Sequence, residues 1–93
     1  MNVVLIKMVE VIIEHEWKKE DGENVMKVVG GIIEMQKKGT LPPGFALKGV
    51  QLLKGRNKAI CNWEAPSSSS LSELLAKVNP PTIHTVTEVS RVL

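Results

Sequence analysis

The chain has 93 residues, 43% of them hydrophobic and 24% charged, with a formal net charge of +2. One core is all that this length supports, so residues 1–93 are expected to form a single domain with no second one. The near balance of acids and bases gives no electrostatic footprint for nucleic acid, and the lone cysteine, Cys61, excludes an intramolecular disulfide.

The first stretch, Met1 to Ile13, is apolar but is interrupted by Lys7 and Glu10, and no small-residue cleavage site follows. It is therefore read as part of a soluble, cytoplasmic protein and not as a leader or membrane anchor. Residues 1–8 are set apart as an extension ahead of the better-patterned segment that starts after Met8.

From Val9 to Trp17 the pattern settles into alternation. Val11, Ile13, His15 and Trp17 share one face and Ile12, Glu14 and Glu16 the other, as a strand requires. Continuing the strand upstream through Val3 to Ile6 would exceed the usual length of about 5 to 6 residues, which predicts a bend, a bulge or a partner-swapped arm there.

Asp21 then introduces a helix over Gly22 to Lys38, with Val25, Val28, Val29, Ile32 and Ile33 recurring at intervals of three and four. Gly30 and Gly31 interrupt it at about 1 kcal/mol each relative to alanine, which points to close approach of the helix to a sheet. Gly39 is placed to end the helix, and Pro42 and Pro43 prevent its continuation.

Phe45 to Leu53 and Lys58 to Glu64 flank the polar turn Lys54-Gly55-Arg56-Asn57 and read as an antiparallel hairpin. The serine run that follows leads into a second helix: Ser70-Leu71-Ser72-Glu73 has capping-box spacing, and Leu71, Leu74, Leu75 and Val78 form a stripe. Asn79-Pro80-Pro81 stops it, and Thr82 to Val89, rich in β-branched residues, is the fourth strand. The order is βαββαβ. Right-handed crossovers convert it into a four-stranded antiparallel sheet of order 4-1-3-2 with both helices on one face, the ferredoxin-like α+β fold.

Three segments carry a family resemblance: His15-Glu16-Trp17-Lys18-Lys19-Glu20-Asp21, Leu41-Pro42-Pro43-Gly44, and Ala59-Ile60-Cys61-Asn62-Trp63-Glu64-Ala65-Pro66-Ser67. In them the chain resembles a group of small uncharacterised prokaryotic ferredoxin-like proteins that pair into dimeric α/β barrels, some of whose relatives are linked to nickel binding. The resemblance implies a homodimer in which the sheets of two subunits close against each other around a cavity. A small domain that buries little of its own surface gives that expectation physical support.

The predicted topology makes His15 and His84 neighbours, because strand one runs opposite to strands three and four. Two imidazoles with the Cys61 thiolate on the other flanking strand form a ligand set suited to nickel, copper or zinc. The same residues have plainer uses: an isolated cysteine is often a small buried hydrophobe, and a histidine at a strand end is often simply hydrogen bonded. Trp17 and Trp63, the only tryptophans, line a ligand cavity together with His15 and Cys61 or else pack in a core or dimer interface. Glu14, Glu16 and Glu64 share a sheet face, as hard-cation ligands, as a base or as solvated strand positions, and Lys54, Arg56 and Lys58 cluster at the hairpin tip, as contacts for a phosphate or acidic partner or as a solvated turn.

No Cys-x-x-Cys loop, Gly-rich phosphate cradle, Gly-x-Ser-x-Gly elbow or His-Glu-x-x-His helix occurs. The expected function is that of a homodimeric small-ligand or transition-metal-binding barrel protein, with no nucleic-acid or membrane partner. The alternatives are a cofactor-independent enzyme that uses His15 or His84 for proton transfer, and a purely structural interaction module.

Overall fold

The computed structural model describes residues 7–93, so residues 1–6, on which most of the expected extension and its bend, bulge or swapped arm fall, lie outside the described part. The elements are β1 (Val9–Glu16), α1 (Gly22–Lys38), β2 (Ala46–Leu52), β3 (Lys58–Ala65), α2 (Ser68–Val78) and β4 (Ile83–Val89), with a single 3-10 turn at Lys19–Asp21 before α1. The four strands form one antiparallel sheet in the order β2-β3-β1-β4. This is the predicted ferredoxin-like α+β arrangement. Among the described residues no helix is long and apolar enough to cross a membrane.

The sheet divides its residues by parity. Val11, Ile13, Cys61, Trp63 and Ala65 turn toward the helices and form a buried cluster with Leu71 and Leu75 of α2. The intervening residues of β1 and β3, among them Ile12, Glu14, Ile60, Asn62 and Glu64, lie on the face that no helix covers. β3 alternates strictly between buried and half-buried positions, as a central strand with one packed face should. β2 departs from this period: its register shifts between Leu47 and Gly49, and Lys48 is the extra residue of a bulge.

The helix ends correct two expectations. α2 begins earlier than the Ser70-x-x-Glu73 spacing implied, because the capping box is formed by Ser67 and Ser70: the Ser70 N–H donates to Ser67 Oγ at 3.0 Å and the Ser67 N–H donates to Ser70 Oγ at 3.1 Å. In α1 the paired glycines do not mark contact with the sheet. Gly30 and Gly31 are exposed, and a Cβ at either would meet nothing within 4 Å. Gly39 does close the helix as predicted, in the left-handed conformation with φ 69°.

α1 is held against the sheet mainly at its two ends. Val25 is its one buried residue, and Gln36 Oε1 accepts the backbone N–H of Leu47 at 2.8 Å. Between them Val28, Val29 and Ile32 are only half-buried.

Candidate functional site

The half-buried stripe of α1 roofs an apolar cleft whose floor is the sheet. Val28, Val29 and Ile32 face Ile13, His15 and Trp17 of the first strand and its exit, and Ala59, Cys61 and Trp63 of β3. The cleft measures about 30 Å³, enough for one or two waters, so a larger molecule requires α1 to lift. The four residues expected to bind a ligand, His15, Trp17, Cys61 and Trp63, all line it. They meet on the helix-covered face within one subunit, whereas a cavity closed by two sheets would lie on the opposite face.

His15 is the polar centre of this cleft. It pairs across β1 and β4 with His84, the two ring centroids 6.1 Å apart, so the predicted neighbours are neighbours. His15 Nδ1 shares a 3.0 Å hydrogen bond with Thr82 Oγ1. Thr82 is positioned by the Pro80-Pro81 segment, its own N–H donating to the Pro80 carbonyl at 2.7 Å in a tight turn. The bond fixes the ring plane and occupies Nδ1, which leaves Nε2 as the nitrogen available to a ligand. Burial, and secondarily the His84 imidazole, lower the His15 pKa to about 4, so the ring is neutral at physiological pH.

Cys61 lies opposite Ile13, two residues along the β1–β3 pair from the His15–Ala59 position and on the same face of the sheet. Burial pushes its thiol up to about 11, the state of an inert, protonated side chain. Among the described residues no three His, Cys, Asp or Glu side chains converge in a way that could hold a metal ion, so His15, Cys61 and His84 do not form a three-donor centre as they stand.

Trp17 stands at the mouth. Its backbone N–H donates to the Asn57 carbonyl at 3.1 Å, which ties the exit of β1 to the hairpin turn. Trp17, Pro80 and Thr82 also border an open surface groove that includes Lys18 and Ile83, so the cleft leads to solvent at this end. Trp63 lies deeper and is 6% exposed. Its indole Nε1 is buried with no hydrogen-bond acceptor among the described residues, which is unusual for a group that normally finds one.

Sequence reasoning missed Thr82, Pro80 and the α1 stripe as parts of the site. In the sequence Pro80 has only the character of a helix stop, and Thr82 only that of a strand residue. The spacing of Val25, Val28, Val29 and Ile32 does place them on one face, but periodicity alone does not distinguish a tightly packed stripe from a loosely seated one.

The bare face differs in character. Glu64 pairs with Lys48 at 3.8 Å, Glu10 with Arg91 at 3.6 Å and Glu16 with Lys58 at 3.9 Å, all near solvent and worth little individually. Glu14, Glu16 and Glu64 do share this face, and Ile12, Ile60, Ile83 and Val89 lie among them. Both tryptophans are on the other side. The described bare face therefore has no aromatic ring on which a nucleic-acid base could stack. Comparison of the chain with protein-family models and with curated proteins finds no match.

Proposed function

We propose that the protein is a homodimeric small-ligand-binding domain that receives an apolar molecule between α1 and the sheet. The convergence of His15, Trp17, Cys61 and Trp63 on one apolar cleft under a loosely seated helix carries this reading. Ligand pockets are typically apolar enclosures with a few placed polar groups, and His15, oriented by Thr82, supplies one of them.

The donor chemistry favours an organic ligand over a metal ion, because the Cys61 thiol is held protonated and His15 and His84 alone supply two imidazoles. It also favours binding over proton abstraction: an imidazole whose pKa has fallen to about 4 is a weak base at neutral pH. Pairing of two copies through the bare sheet face is supported by its apolar residues, of which Ile83 is 80% exposed and Ile12, Ile60 and Val89 are half-buried.

Titration with small uncharged cyclic compounds, followed by tryptophan fluorescence and calorimetry, tests the cleft. Val29→Phe adds bulk from the helix side and is expected to weaken binding while the far-UV circular dichroism spectrum stays unchanged. Absence of heat and of any fluorescence change with every compound, or equal affinity in the Val29→Phe protein, would overturn this reading.

A further inference from the structure

Resting on that reading, we infer that the ligand is uncharged and carries an oxygen acceptor, a ketone, ester or lactone carbonyl, that takes the indole N–H of Trp63. Two independent observations support this chemistry. The first is the lining of the cleft, which contains no lysine, arginine, aspartate or glutamate. An ionised ligand entering it would lose its hydration without a countercharge, at far greater cost than a neutral polar one. The only histidine on its wall is neutral at physiological pH.

The second is the state of Trp63. Its Nε1–H is a donor only, and it is buried without an acceptor among the described residues, in a residue that forms part of the cleft wall. A buried unpaired donor carries a desolvation penalty that an incoming acceptor relieves. A carbonyl oxygen satisfies it, whereas a hydrocarbon and an ammonium group, neither of which carries a lone pair, do not. The His15 imidazole, with Nδ1 occupied by Thr82, lies on the same wall and sets the polarity at the other end of the ligand.

Cyclohexanone and methylcyclohexane, similar in size and differing in the acceptor, are the probes. The ratio of their affinities is measured in the wild-type protein and in Trp63→Phe, which removes the donor and keeps an aromatic ring. The ketone preference is expected to fall about ten-fold in the variant. A second measurement needs no substitution: with only two tryptophans in the chain, the indole N–H resonances are readily followed by nitrogen–proton correlation spectra. Cyclohexanone should move the Trp63 signal downfield, as hydrogen bonding does, and methylcyclohexane should not. Binding of both probes with the same ratio in both proteins and no ketone-specific shift would overturn the carbonyl inference and leave the cleft reading in place. If neither probe binds, both fall together.

Discussion

His15 and His84 face each other across the β1–β4 pair, their ring planes inclined by 55°, and only His15 is half-buried while His84 is exposed. The pairing couples a half-buried neutral ring to a solvated one, and it has a pH consequence. The folded-state pKa of His15 is about 4, below the ordinary value of 6.5. Between those two values the unfolded chain takes up a proton that the folded chain refuses, so stability falls as pH drops from 6.5 toward 4 and is complete above 6.5. Discounted for the solvent that reaches the half-exposed ring, the loss attributable to His15 is about 1–2 kcal/mol. Urea unfolding of wild type and His15→Gln over this pH range should show a shallower dependence in the variant; parallel curves would contradict the assignment.

Cys61 should behave as a masked thiol. Relative to an ordinary thiol at 9.0, a value of about 11 lowers the thiolate fraction at neutral pH about a hundred-fold, before any steric protection is counted. Iodoacetamide should therefore label the folded protein far more slowly than the protein in urea, as followed by mass spectrometry. Comparable rates would mean that the cleft is open to reagents on the labelling timescale.

The exposed glycines of α1 offer a stabilising change. Because a Cβ at Gly30 or Gly31 meets nothing within 4 Å, alanine at each should add about 0.5–1 kcal/mol. Thermal melts of the single and double variants check this. A lowered midpoint would show that the helix needs its bare backbone at these positions for a contact outside the isolated subunit.

Ser67→Ala should cost about 1 kcal/mol, because it removes the acceptor for the Ser70 N–H at the start of α2. Ser72→Ala, on the exposed side of the same helix, is the control and should change little. Similar losses for both would place the cap elsewhere in the serine run.

The bare face can be tested by sedimentation equilibrium. Ile83→Lys replaces an exposed side chain opposite Glu16, so the monomer itself gains no like-charge contact. Wild type is expected to sediment as a dimer and the variant to shift toward monomer. A wild-type protein that stays monomeric at high concentration would remove the dimer from the proposal.

Much of this was legible in the residues. The alternation of Val11, Ile13 and His15 already placed the histidine with the core side chains, and strand order placed it beside His84. β2 was harder, because the extra residue at Lys48 breaks the period of two on which face assignment depends. Four serines in a row offered several equivalent caps, and only the backbone geometry selects Ser67. The Trp63 N–H, without an acceptor among the described residues, had no sequence signal at all, since its state depends on which acceptors the fold brings within reach.

The bulge at Lys48 also bears on how large an assembly can grow. β2 and β4 are the two edges of the sheet, and a bulged edge presents an interrupted row of donors and acceptors that an incoming strand cannot match in register. Strand addition is therefore confined to β4. Edge pairing at β4 would be a contact separate from the face-to-face pairing proposed above, and within one sheet it would stop at two copies: the eight strands so joined would be ended on both sides by a bulged strand, leaving no edge for head-to-tail addition.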